Sequence, residues 1–174
     1  FSGGDLQPKK KEVTWNSTPS GQAAAGAAAG CAVGAASVKA PADIVERMGE
    51  LGSRIGMAFQ IKDDLFDYGS DSIGKPVGID IRERKATLPL LHALSKASWM
   101  EKRRITGLVR EAEDKPSNVK KVIEFVREAG GLEYATGVMK RLQQEAQELL
   151  MTFPESPYRA SLALMVDYTI SRQK

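Results

Sequence analysis

Apolar residues recur at helical spacing over most of this chain. The clearest register follows Pro41, where Ile44, Met48, Leu51, Ile55 and Ala58 keep the i, i+4, i+7 steps of one buried face. It predicts a helix that continues to about Tyr68. Residues 69–78 cannot sustain that helix, because three glycines, a proline and short polar side chains fall within ten positions. Helical spacing resumes over 88–97 and again over 100–112, before Asp114-Lys115-Pro116-Ser117 marks a turn. Ser117 is the expected N-cap of a helix over 119–129, which Gly130-Gly131 ends. The pattern over 132–151 turns Leu142, Ala146, Leu149 and Leu150 inward, and a final helix over 158–171 follows Pro154 and Pro157. Only 12–15 alternates like a strand, so the predicted class is all-α.

Two stretches stand apart. Residues 1–20 are rich in Gly, Lys, Ser and Pro and read as a loop or ordered arm, leaving 21–174 as the helical part. Residues 22–37 are almost entirely Ala, Gly, Val and Cys. There Gly26, Gly30 and Gly34 recur every fourth position, a stripe that would let another backbone approach, and the segment is predicted as an internal helix of small residues.

Composition narrows the chemistry. An apolar share of 42% with 27% charged residues suits one globular core, and no uninterrupted apolar run or basic-then-apolar start predicts a membrane span or a secretory signal. Cys31 is the only cysteine, so an intramolecular disulfide and a zinc site are excluded and a reducing cytosol is consistent. The net charge of +3 is spread along helices among acidic partners, which argues against nucleic-acid binding. His92, the only histidine, lies in an apolar helical stretch as a packed or half-exposed residue, so Ser-His and Cys-His nucleophilic catalysis are not expected.

The informative segment is Phe59-Gln60-Ile61-Lys62-Asp63-Asp64-Leu65-Phe66-Asp67. At about 100° per residue, Gln60, Asp63, Asp64 and Asp67 fall within an arc of roughly 100° on one side of the helix. Such carboxylates repel one another and oppose the dipole of a helix C-terminus, so they call for a cation. Hard oxygen ligands in small number suit Mg²⁺, which keeps waters and is completed by substrate phosphates. The same face continues toward the N-terminus as Gly56, Ser53 and Gly49, a smooth trough on which an apolar tail could lie. Lys75 in the Gly-rich loop and Lys85 beyond it make a plausible clamp for phosphate oxygens. The plainer readings, a solvated acidic helix end and two surface lysines, stand beside these.

Three blocks in order, 59–67, then Gly74-Lys75-Pro76-Val77-Gly78-Ile79-Asp80, then Lys85-Ala86-Thr87-Leu88-Pro89-Leu90-Leu91, closely resemble the second aspartate-rich region of the trans-polyprenyl diphosphate synthases. Tyr168-Thr169-Ile170-Ser171-Arg172 is similar to that family's C-terminal helix, so the resemblance runs from about Cys31 to the end. It implies a helical bundle of the isoprenoid synthase type, of which residues 1–174 form the C-terminal part of a single domain. It implies that Asp63 and Asp64 coordinate Mg²⁺ bridging to an allylic diphosphate, with Asp67 in the same acidic patch. Phe59, Gln60, Lys75 and Lys85 would contact the substrates or the departing diphosphate. The implied reaction is ionisation of the allylic diphosphate, attack by the double bond of isopentenyl diphosphate, and proton loss, in a cytoplasmic homodimer.

The chain departs from the family in two respects. An upstream aspartate-rich motif with its basic residues is absent, and Gln22-Ala23 stands where relatives carry a Lys-Thr pair. The piece alone is therefore expected to be inactive. A non-catalytic partner subunit of a prenyl synthase is the alternative function. A class I terpene cyclase would share the helices and the aspartates, but Gly74-Lys75-Pro76 and Lys85-Ala86-Thr87 match chain-elongating enzymes instead.

Overall fold

The computed structural model describes residues 18–69 and 77–171. The alternating stretch 12–15 and the loop positions 70–76, Lys75 among them, lie outside the described residues, as does Arg172. Among the described residues the elements are α1 (Pro19–Ser37), α2 (Ala42–Phe66), α3 (Ile79–Arg82), α4 (Leu88–Lys96), α5 (Trp99–Arg110), α6 (Pro116–Glu128), α7 (Gly131–Met151) and α8 (Pro157–Ser171), with no strand. The all-α expectation holds.

α1 begins earlier than predicted. Thr18 is its N-cap, the Thr18 hydroxyl oxygen accepting from the Gly21 N–H at 3.2 Å, and Pro19 stands in the first turn, where a missing N–H costs nothing. The short connection 38–41 then turns the chain into α2, which runs antiparallel beside α1. The seam between them differs from the one the sequence suggested. Gly26, Gly30 and Gly34 have no neighbour within 4 Å of where a Cβ would stand. The close approach comes from glycines on α2: a Cβ at Gly52 would lie 2.5 Å from the Ala27 carbonyl oxygen, and one at Gly56 would lie 2.8 Å from Ala27 Cβ and 2.9 Å from the Ala24 oxygen. A helix of Ala and Gly is nearly uniform around its circumference, so its own period cannot select the packed face; the partner's missing side chains do. The predicted trough along Gly49 and Gly56 is accordingly occupied by α1, with Ala32 Cβ 3.5 Å from the Gly49 position.

The opposite side of α2 meets α7 and α8. Ala58 and Ile61 pack with Ala135, Met139 and Leu142, and Leu51 packs with Ala146, Leu150 and Val166. Leu149, Met48 and Ile55 border that core half-buried. A second core gathers Tyr68, Ile81, Leu90, Ala93, Ile105, Val122 and Val126 from the end of α2 through α6. His92 stacks on Tyr134 with ring centroids 3.9 Å apart, a packed role as expected. α6 starts at Pro116 with Lys115 as its N-cap, so Ser117 sits inside the first turn and does not cap it. Proline's fixed φ starts the helix two residues earlier than a cap at Ser117 would.

Candidate active site

The last two turns of α2 carry Phe59, Gln60, Asp63 and Asp64, and Asp67 is its C-cap. Phe59 is exposed, Gln60 and Asp63 are half-buried, and Asp64 and Asp67 are only 3% and 6% exposed. Burying a carboxylate is costly unless its oxygens find donors. Those of Asp64 come from two other helices: Oδ1 accepts from Ser20 Oγ in the first turn of α1 at 3.0 Å, and Oδ2 from the Leu88 N–H that opens α4 at 3.3 Å. Those of Asp67 come from α3, where the Ile79 N–H donates to Oδ1 at 2.8 Å and the Asp80 N–H to Oδ2 at 3.0 Å. The Asp67 carbonyl also accepts from the Gly78 N–H at 2.9 Å. Asp67 thus satisfies donors at the start of α3 that have no partner inside the helix. The return of the chain onto Asp67 requires Gly78, whose φ of +78° is left-handed and where a Cβ would overlap Val119 Cγ1.

Tyr68 and Thr87 lock the far edge. The two buried hydroxyls meet at 2.6 Å and so hold residue 87 against the end of α2, which delivers the Leu88 N–H to Asp64. Burial, with the nearby Asp67, Asp64 and Asp80 carboxylates, pushes the Tyr68 phenol well above its ordinary range, while the bond with Thr87 pulls the other way. Lys85 lies in the connection between α3 and α4. Its ammonium donates to Asp80 Oδ1 at 2.8 Å and Glu83 Oε2 at 2.7 Å, and its backbone N–H donates to the Asp80 carbonyl at 2.8 Å. The bonds to Asp80 and then Glu83 raise the lysine above its usual range.

Gln60, Asp63, Asp64 and Asp67, which the spacing grouped, lie together at the end of α2, with Phe59 beside them. Lys85 joins them through a relay: Asp67 holds α3, α3 carries Asp80, and Asp80 holds Lys85. Lys75 lies outside the described residues. Sequence reasoning missed Ser20, Tyr68, Asp80 and Thr87 as structural parts of the site. For Ser20 the available signal was Thr18-Pro19-Ser20, a cap followed by proline that marks a helix start.

The donor set suits Mg²⁺. Among the described residues no three His, Cys, Asp or Glu side chains converge into a closed cage. Mg²⁺ does not need one, since one or two carboxylates with waters and phosphate oxygens complete its octahedron. Asp63 and Asp64, adjacent at the end of α2, could supply such a pair.

An all-α bundle in which the end of a long helix delivers Asp64 and Asp67 to the starts of neighbouring helices is of the isoprenoid synthase type, and solved structures agree. The chain is similar to the geranylgeranyl pyrophosphate synthase of Bacteroides thetaiotaomicron, at 35% identity and a TM-score of 0.76 over 86% of this chain and 50% of that one. It is similar to a polyprenyl synthase of Caulobacter crescentus, solved with calcium and isoprenyl diphosphate, at 29% identity and a TM-score of 0.68 over 85% and 46% of the two chains. The nonaprenyl diphosphate synthase of Mycobacterium tuberculosis is 38% identical over 130 residues, 74% of this chain and 38% of that protein. The family model described as polyprenyl synthetase matches residues 5–126. The chain belongs to the polyprenyl synthetase family. It spans about 38% of the M. tuberculosis relative's length and about half of the solved B. thetaiotaomicron chain.

Proposed function

We propose that the protein carrying this chain is a prenyltransferase that joins isopentenyl diphosphate to an allylic diphosphate, and that these residues form one wall of its site. The observation that carries the reading is Asp64, a buried aspartate held between Ser20 of α1 and the first N–H of α4, with Asp63 beside it and Lys85 tied to the same helix end through Asp67 and Asp80. The similarity to a polyprenyl synthase solved with a divalent cation and isoprenyl diphosphate supports it.

Asp63 and Asp64 would hold Mg²⁺, with Asp67 holding α3 in place beside them. The ion, when bound, supplies positive charge to the diphosphate as it becomes a leaving group. Lys85 places two of its three donors on Asp80 and Glu83, and the third would be left for a phosphate oxygen. Fixing the ammonium in advance removes a reorganisation cost when charge develops on the leaving oxygen. Lys75, Gln60 and Phe59 take substrate contacts on the strength of the family motif. The allylic C–O bond breaks with both electrons leaving on the diphosphate. The isopentenyl double bond then forms the new C–C bond, and a proton is lost from the condensed product. We further place the protein in the cytoplasm as a homodimer.

The test uses the full-length protein with labelled isopentenyl diphosphate and an allylic primer. Asp63→Ala and Asp64→Ala are each expected to lower turnover by at least about a hundredfold, the scale seen when one preorganised charge-stabilising group is removed. Helical circular dichroism should remain. Wild-type turnover in both variants would refute the assignment.

A further inference from the structure

Among the described residues, α5 carries a surface that neither the core nor the acidic site explains. Its inner side is Ile105, flanked by Leu108 and Val109. At about 100° per residue its outer side groups Trp99, Arg103, Thr106 and Arg110, with Met100 and Arg104 along one border and Lys102 along the other. Trp99 is 69% exposed and Met100 76%. Two other exposed apolar surfaces lack this charge: α1, with Val33, contains no charged residue, and α8, with Leu164 and Tyr168, has no Lys or Arg after Arg159.

Residues 96–110 hold five basic side chains, Lys96, Lys102, Arg103, Arg104 and Arg110, against one acid, Glu101. Glu101 is turned inward on the cap, its Oε2 accepting from the Ser98 hydroxyl at 2.8 Å and the Ser98 N–H at 3.1 Å. Among the described residues none of those five cations has a salt-bridge partner. The Arg103 guanidinium lies 5.2 Å from the Trp99 ring centre. An open hollow of about 410 Å³ is lined by Trp99, Lys102, Arg103, Thr106, Gly107 and Arg110, with no carboxylate among them.

We propose that α5 is a docking surface for an anionic lipid bilayer, with Trp99 and Met100 entering the headgroup boundary and Lys102, Arg103 and Arg110 meeting lipid phosphates. An apolar tip bordered by cations is the pattern of a helix that lies on a charged membrane, the tryptophan supplying an amphipathic ring and the long basic side chains reaching the headgroups. α5 is too short and too charged to span the bilayer: among the described residues no helix is long and apolar enough. The attraction needs negative lipid, because the outer side carries several positive charges and no carboxylate.

The experiment is co-sedimentation of the full-length protein with vesicles of phosphatidylcholine alone and of phosphatidylcholine with 30% phosphatidylglycerol as a set mixture, roughly the charge density that gives basic side chains their effect. Binding is expected only to the anionic vesicles. At about fivefold per basic residue, K102Q/R103Q/R110Q should weaken it on the order of a hundredfold, and W99A/M100A by about tenfold or more through lost apolar burial. Thermal unfolding confirms that both variants are folded, and prenyl transfer with a soluble primer should be unchanged in them. The acrylamide-quenchable fluorescence lost in Trp99→Phe reports whether that ring is open to solvent in the absence of vesicles. Equal binding to neutral vesicles, no binding to either, retention of binding in the charge variant, or a Trp99 already shielded by the rest of the protein would each overturn the proposal.

Discussion

Substituting Gly52 by alanine tests the link between the α1–α2 seam and the acidic site. A Cβ there would stand 2.5 Å from the Ala27 carbonyl oxygen and 3.0 Å from its carbon, whereas ordinary contact begins at 3.4 Å. Cys31 Sγ, 2.8 Å away, could turn aside, but the Ala27 oxygen and carbon are backbone and cannot, so α1 must withdraw by close to an ångström. Overpacking of this kind costs about 1–3 kcal/mol. Alanine also gains about 1 kcal/mol of helix propensity over glycine. Gly137 in α7 isolates that second effect, because it is exposed with nothing within 4 Å of its missing Cβ. Gly52→Ala should therefore melt below Gly137→Ala by roughly 2–12 °C, taking about 2–4 °C per kcal/mol for a chain of this size. The withdrawal has a second consequence. Ser20 rides on α1, and its 3.0 Å bond to Asp64 would stretch beyond hydrogen-bond range. Turnover of the full-length protein should fall in Gly52→Ala even at temperatures where it is fully folded. Equal melting of the two variants, together with unchanged turnover, would show that α1 is not seated on Gly52.

Asp67→Ala should cost about 1–3 kcal/mol by leaving the Ile79 and Asp80 N–H groups without their acceptor, with Asp67→Asn between it and wild type; an unchanged urea midpoint would refute the strut role. Tyr68 is neutral in the folded protein and its hydroxyl pKa is raised by burial, so its contribution is complete below the ordinary tyrosine pKa of about 10 and declines as pH rises above it. Ultraviolet titration should accordingly show one tyrosine that ionises only as the protein unfolds in alkali, and tyrosines that all ionise near 10 in folded protein would contradict this. Residues 1–174 expressed alone are expected to form no prenyl diphosphate, since one wall of carboxylates with a lysine holds a leaving group from one side only; product chromatography showing elongation by this piece would overturn the half-site argument.

Much of this protein was determined by periodicity and residue chemistry alone. The all-α class, the long α2 register and the gathering of Gln60, Asp63, Asp64 and Asp67 on one side follow from the 3.6-residue repeat, which acts within a single helix and needs no partner. The family likewise lay in short ordered blocks. Other features depended on contacts between segments far apart in sequence. No local pattern says that Ser20 meets Asp64 across 44 residues, or that Asp67 reaches over the loop to hold α3. The Ala-Gly helix is the plainest case. Its own stripe of Gly26, Gly30 and Gly34 faces away from α2, because a surface without large side chains has no preferred side until another helix presents the gaps at Gly52 and Gly56 into which its backbone can settle. Helical register is a property of neighbours in sequence, whereas which faces meet, and which buried carboxylate finds its donors, is decided only when separate helices compete for the same space.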